Sequence, residues 1–337
     1  MRVGLRLKIN ASGVIQQYMK SSTMPGKAVA TKLKHNKSLS GILLMILHAI
    51  SMSILYLLSK ELSQPLHPFQ VAFLYKLTIL ICVLPWCLHG NYKANLKTRR
   101  IGLHVARGTF SLLGTLCFFI GLKQIEVTNA AAITYLDHIL VILIGFLYFK
   151  EKLSHSKMVM IALSFIGVLF IVKPGIGGFN YYYFYLFLAV IFWAMNCTVI
   201  KMLGSSERTK AQLFYVMLFS SIFSLPLALY EWRAIEPWHV KYIFAIAICY
   251  LIHAIAFFKA LKYADISTVM PFDYCRLVFT GLLGIVFLSE VPDTYAVIGY
   301  LMIVIGGIYS INHETRKKNV KITPAESAKL EAEYEQL

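Results

Sequence analysis

The sequence predicts an all-α integral membrane protein of ten transmembrane helices, arranged as two inverted five-helix repeats. Three observations predict it. Apolar residues make up 58% of the 337 and charged residues only 15%, with a mean hydropathy of +0.65, a surplus that a water-soluble domain has nowhere to put. The surplus is gathered into ten runs of about 20 residues, the length that crosses a hydrocarbon core. The chain also matches itself at a shift of 139 residues. A soluble enzyme and a single-span receptor are excluded.

Charged or turn-rich breaks place the spans at 41–59, 68–88, 101–122, 129–149, 157–172, 182–200, 211–230, 240–258, 267–288 and 295–312. Most connections are too short to fold as loop domains, so any site must be built from the helices. Short loops rich in Lys and Arg are retained on the cytoplasmic side. With the basic segment 1–40 inside, twelve basic residues fall in inner loops (Lys93, Lys150 and Arg208 among them) and five in outer loops (Lys60, Lys123, Lys173, Arg233, Lys241). The reading is therefore a basic cytoplasmic N-terminal tail over 1–40, repeats over 41–172 and 182–312, and a charged cytoplasmic C-terminal tail over 313–337, in the inner membrane. The net charge of +17 reports orientation against an anionic leaflet, and no nucleic-acid partner is expected.

Each span adds an expectation. Span 1 holds His48 and closes on Lys60. Span 2 carries Tyr75 and Lys76 near its middle; the ammonium suits a carboxylate or phosphate, or equally a buried Asp. Span 3 has His104, Arg107, Ser111 and Gly114 on one helical stripe, with Arg107 either lining a site or snorkelling to the cytoplasmic end. Span 4 contains Tyr135, Asp137 and His138, and His138 beside Asp137 is the proton-coupling candidate. In span 6, Trp193 suits ring stacking and Asn196, about one turn on, could bond a base edge. Span 8 contributes His253. Span 9 carries Phe272, Asp273, Tyr274 and Arg276, with Asp273 and Arg276 three apart on one face. Spans 5 and 10, apolar and Gly-containing, are expected at the periphery or between protomers of a monomer or homodimer.

The repeat overlays 118–167 on 257–306 without a gap, including Lys123/Lys262, Tyr135/Tyr274, Gly145/Gly284, Glu151/Glu290 and Gly167/Gly306. A shift of 141 pairs Lys60 with Lys201 and Pro85 with Pro226. Five spans per repeat is odd, so the second half enters the membrane upside down, the arrangement by which secondary transporters alternate a central site between two sides. Under the overlay Asp137 falls on Arg276, which makes them expected facing partners. Ionisable side chains at such depth cost roughly 3 kcal/mol on insertion scales. Two readings stay open for them: ion pairs that fix helix register, or the lining of a central cavity that holds the polar ends of a substrate.

The gapless unit ending in Glu151 or Glu290, the Gly-rich fifth helix of each half (Ile166-Gly167 and Ile305-Gly306-Gly307), the Lys60/Lys201 pair and the span count resemble the EamA-type members of the drug/metabolite transporter superfamily. Within it, His104-Val-Ala-Arg107-Gly108, Lys173-Pro174 and Pro271 to Leu277 followed by Glu290-Val-Pro-Asp293 are similar to the S-adenosylmethionine uptake carriers of intracellular bacteria. The resemblance implies import of that metabolite as the first expectation.

Several chemistries are unmarked. There is no P-loop, no metalloprotease or hydrolase motif and no potassium-filter sequence. The six cysteines lie within spans without CxxC spacing, so no metal, cofactor or disulfide framework is expected. The combined expectation is a secondary carrier for a small zwitterionic or amphoteric metabolite, working by alternating access. Export of amino acids or related metabolites is the alternative, and a lipid flippase a more distant one.

Overall fold

A computed structural model describes residues 26–148, 150, 154–173, 180–203, 207–264 and 266–321, and the side chains of 26–38, 266–267 and 314–321 lie outside it. The remaining tail residues, and Glu151, Lys152 and Pro174, fall outside the described residues. Ten helices long and apolar enough to cross a membrane are present, and no strand occurs among the described residues. They are α1 (Gly26–Ser63), α2 (Pro68–Leu88), α3 (Ile101–Gln124), α4 (Val127–Thr134 and Leu136–Leu147), α5 (His155–Val172), α6 (Tyr182–Leu203), α7 (Thr209–Tyr230), α8 (Pro237–Tyr263), α9 (Cys275–Leu288) and α10 (Thr294–Lys321).

Local chemistry sets most ends. Pro68 and Pro237 occupy first-turn positions, where a missing N–H costs nothing. The Ser154 hydroxyl accepts from the Lys157 N–H and the Asp293 carboxylate from the Ala296 N–H, capping α5 and α10. Lys173 and Ser289 take left-handed backbone angles and close α5 and α9. Two ends run beyond expectation: α1 is helical from Gly26 and α10 to Lys321, each inside a segment read as a tail.

Two spans are not continuous. α4 breaks at Tyr135, whose N–H turns back three residues to the Ala132 carbonyl. The span leading into α9 runs through a short turn at Ile266–Val269 and a 3-10 segment, Met270–Tyr274, in which Pro271 has no N–H to give a helical ladder. Tyr135 and Tyr274 are repeat equivalents, so the two halves break at the same place.

The packing has the symmetry of the repeat. α1 lies on α8 as α6 lies on α3, α9 on α1 as α4 on α6, while α2 packs on α7 and α5 on α10. The inversion is visible at the two ends. At one, Gln70 at the start of α2 bonds the Arg233 backbone just beyond α7, at 2.9 and 3.1 Å. Glu290, just beyond α9, accepts from the Val127 N–H at the start of α4 at 2.6 Å. At the other, Arg208 before α7 reaches Asn95 after α2 at 3.3 Å. Equivalent helices therefore run in opposite directions. α5 and α10 are paired rather than separated: a Cβ on Gly167 would stand 2.7 Å from the Gly299 carbonyl, so only glycine permits this approach.

Candidate functional site

The two breaks meet near the centre. The rings of Tyr135 and Tyr274 stack with centroids 4.9 Å apart, and since the residues are repeat equivalents their contact marks the pseudo-twofold axis. Around it the polar groups of the span 9 break are satisfied from several helices. The Tyr135 hydroxyl donates to the Asp273 carbonyl at 2.9 Å and accepts from Arg276 Nε at 3.2 Å, while the guanidinium lies over the Tyr135 ring, 4.4 Å from its centroid. Arg276 Nη2 stands 3.8 Å from the Asp273 carboxylate. The other Asp273 oxygen is 3.1 Å from His48 Nε2 on α1, and His48 Nδ1 is 3.0 Å from His253 Nδ1 on α8. Ser53 and Thr280 cover the Arg276 carbonyl at 3.0 and 2.7 Å. Asp273 and Arg276 are 5% and 7% exposed, so this is a closed network.

The span 4 break is different. Asp137 pairs with its neighbour His138 at 2.6 Å, and their side chains keep 27% and 40% exposure. Sequence symmetry pointed to an Asp137–Arg276 pair, but Arg276 is engaged by Asp273, in its own turn, instead. Lys76 on α2 donates to the Ser111 hydroxyl of α3 at 3.0 Å and lies over the Tyr75 ring, and no buried Asp pairs with it among the described residues. Arg107 does not snorkel free: it donates to the Gln212 carbonyl and side-chain oxygen on α7 at 3.0 and 3.2 Å.

The expected aromatic residues divide. Tyr75 meets Tyr250 of α8 edge-on at 5.8 Å, beside Lys76. Trp193 packs on Phe118 at 5.2 Å and fills the notch at Gly114, so it is embedded between α6 and α3. Asn196 Oδ1 is buried with no partner among the described residues. Phe272 packs toward the small apolar cluster of Met45, Ala260 and Val269, away from the Tyr pair. His104 sits fully buried with Nε2 3.7 Å from Glu207. No group of His, Cys, Asp or Glu suited to a metal occurs among the described residues.

Sequence reasoning missed two features. One is the His48–His253 contact, which joins residues 205 apart and has no local signal. The other closes the Arg233 end. Lys60 donates to the Ile125 carbonyl at 2.6 Å and pairs with Glu290, Lys173 pairs with Asp293, and Asn129 links Glu126 at 2.8 Å to Tyr300 at 2.6 Å. Burial and the Glu290 charge hold the Glu126 carboxyl above its usual range, against the opposing pull of Lys60 and Lys173. At the same end burial lowers His67, the N-terminal cap of α2. The Lys60/Lys201 and Glu151/Glu290 repeat matches were the available signal for this lock.

A bundle of inverted repeats with a buried ionic network at its axis defines a polytopic membrane carrier. The chain belongs to the EamA-like transporter family, which it matches over residues 39–173 and again over 180–312. It is 27% identical over 283 residues to the S-adenosylmethionine uptake transporter of Rickettsia prowazekii, covering 84% of this chain and 96% of that one. It is 24% identical over 273 residues to the pseudopaline exporter of Pseudomonas aeruginosa, covering 80% and 95%. The riboflavin transporter of Vibrio cholerae is 24% identical over 249 residues, covering 73% and 84%. A solved crystal structure superposes with a TM-score of 0.57 at 16% identity over 82% of this chain and 97% of that one, a likeness of fold alone.

Proposed function

We propose that the protein is a secondary transporter that moves a small amphoteric metabolite across the inner membrane by alternating access, with S-adenosylmethionine uptake as the first substrate. The observation that supports it most is the meeting of the two equivalent helix breaks at Tyr135 and Tyr274, with a locked ionic network on one side and accessible charges on the other. Rocking one half on the other about that axis changes which end of the bundle is open while the polar centre stays in place. S-adenosylmethionine carries a sulfonium, an ammonium, a carboxylate and an adenine ring. Asp137 suits the cationic groups, Lys76 and Arg107 the carboxylate, and Tyr75, Tyr135, Trp193, Phe272 and Tyr274 are the aromatic candidates for the ring, with Asn196 for its edge. His138, ion-paired with Asp137, is the proton-coupling candidate, because a cation displacing it from the carboxylate changes its proton affinity. Both termini are assigned to the cytoplasm from the loop charges. Export of an amino-acid-like metabolite is the second reading, favoured by the likeness to the pseudopaline exporter.

Uptake of labelled S-adenosylmethionine into proteoliposomes, and its thermal stabilisation of the purified protein beside amino acids and nucleosides, tests this. Saturable uptake abolished by Asp137→Asn is the expected result. Stabilisation by amino acids alone favours the second reading, and no response to any of them removes both.

A further inference from the structure

Lys76 lies in the middle of α2 and is 4% exposed, yet the partner its ammonium finds among the described residues is a neutral hydroxyl, that of Ser111. Arg107 stands one turn before Ser111 on α3, on the same face, so both cations converge on one place. They are within electrostatic reach of each other, which adds repulsion to the cost of burial. The Arg107 contacts are to a carbonyl and an amide oxygen of Gln212, and its Nε is buried without a partner among the described residues. Neither cation pairs with Asp or Glu among the described residues, whereas Asp273 and Arg276, the buried charges of the axial network, pair with each other. An uncompensated charge in a low-dielectric interior is strongly unfavourable, and an arrangement with two of them is stabilised by an anion that is not part of the chain. Tyr250 of α8 and Cys197 of α6 lie within electrostatic reach of Arg107. The Cys197 thiol senses Asp137 as well, so it stands between the two signs of charge. Cys197 is also exposed, one turn after Trp193 on the face of α6 that meets α3.

We infer that Lys76, Arg107 and Ser111 form the anion-binding half of the transport site and take the carboxylate of the substrate, while Asp137 of α4, on the other side of Cys197, faces its cationic end. This rests on the transport reading above and narrows it to substrates that carry both groups, held in one orientation. A neutral ring compound has no counterpart for the two cations and is excluded as cargo.

The test is built so that the subsite and the substrate fail separately. The full-length protein in detergent is treated with an anionic and with a cationic methanethiosulfonate reagent, and modification of Cys197 is followed by mass spectrometry, with Cys197→Ser as the blank. Two uncompensated cations accelerate the anionic reagent by about tenfold or more over the cationic one, as focusing in a charged cleft does. The preference falls several-fold in Lys76→Met and in Arg107→Gln and is kept in Lys76→Arg. The melting temperature of Lys76→Met stays at or above that of the parent, whereas a lysine with a structural role would lower it. Equal preference in the parent and Lys76→Met, or a Cys197 that reacts with neither reagent, overturns the proposal. In parallel, the parent binds S-adenosylmethionine at least tenfold tighter than its decarboxylated analogue, and Lys76→Met binds the two alike. Retained steering without S-adenosylmethionine binding removes that substrate and leaves the anion site standing. Binding that ignores the carboxylate removes the anion site and leaves the transport reading intact.

Discussion

The two helix breaks occupy equivalent positions in the repeat and have diverged in what they hold. At the α9 break Asp273 and Arg276 are 5% and 7% exposed, and their groups are met by α1 and α4, with His253 of α8 behind His48. At the α4 break the Asp137 carboxylate pairs, among the described residues, with the adjacent His138, and both side chains keep a quarter or more of their surface. The repeat supplied two breaks at equivalent positions, one a single turn at Tyr135 and the other a 3-10 segment. Sequence divergence buried one charge pair among several helices and left the other partly exposed, which is why the proposed transport role falls on Asp137. A buried pair is costly to break because each partner is the other's solvent, whereas a partly exposed carboxylate loses less on neutralisation.

Arg276→Gln is expected to break the comparison most. It leaves Asp273 buried without its guanidinium and removes the donor to Tyr135, a loss of about 3–5 kcal/mol. The melting temperature in detergent should drop steeply, and Asp273→Asn added to it should recover part of the loss, since the double variant has no orphaned charge. A double variant no more stable than Arg276→Gln would show that His48 and not Arg276 is the partner that Asp273 needs.

The second test sits on the axis itself. The Tyr135 hydroxyl makes two hydrogen bonds within the network, and Tyr135→Phe strips Arg276 Nε and the Asp273 carbonyl of their shared partner at about 1–3 kcal/mol. The Tyr274 hydroxyl lies against Gly307 of α10, where packing rather than hydrogen bonding dominates, so Tyr274→Phe should cost less. Equal melting-temperature losses in the two variants would mean that the halves share the network more evenly than the distances imply.

Asp137→Asn is the third, with the opposite signature. Stability should stay within about 0.5 kcal/mol of the parent, as for a partly exposed charge, while uptake falls tenfold or more. A variant that unfolds with Asp137 neutralised would place it in the buried network as well.

These contrasts explain what was legible in the sequence. The spans were, because crossing a bilayer demands long apolar runs, and the repeat was, because Lys60/Lys201 and Glu151/Glu290 survive at fixed spacing. Depth alone marked Asp273, Arg276 and Lys76 as special. Their partners were legible only in part: the three-residue spacing put Asp273 and Arg276 on one face, but nothing pointed to Ser111 for Lys76. Asp137 and Arg276 overlay in the repeat, but the 3-10 turn at Met270–Tyr274 brings Asp273 onto Arg276, so a local pair displaced the symmetric one. Pro271 was a local signal for that turn that went unread in a span taken as continuous, while the break at Tyr135 has no Pro or Gly within α4's first segment to signal it. The His48–His253 contact and the extension of α1 to Gly26 are settled by tertiary packing and by helix propagation, which no short window contains.

The smallest effect concerns the closed end, and it carries a sign. Glu126 is partly buried beside Glu290, and its carboxyl is held above the usual range by burial first and by that neighbour second. In the window above the ordinary carboxyl range the folded protein therefore binds more protons at this site than the unfolded chain does. Stability contributed by the site is present at lower pH and is lost as pH rises through the raised value. Glu126→Gln keeps an oxygen to accept from Asn129 and has no charge to set against Glu290. The melting temperature of the variant should lose less than that of the parent on going from mildly acidic to neutral pH, with the two converging at the acid end. If instead the parent gains stability over that interval relative to the variant, the attraction of Lys60 and Lys173 outweighs burial, and the lock at this end is held by ionised Glu126 as well as by Glu290.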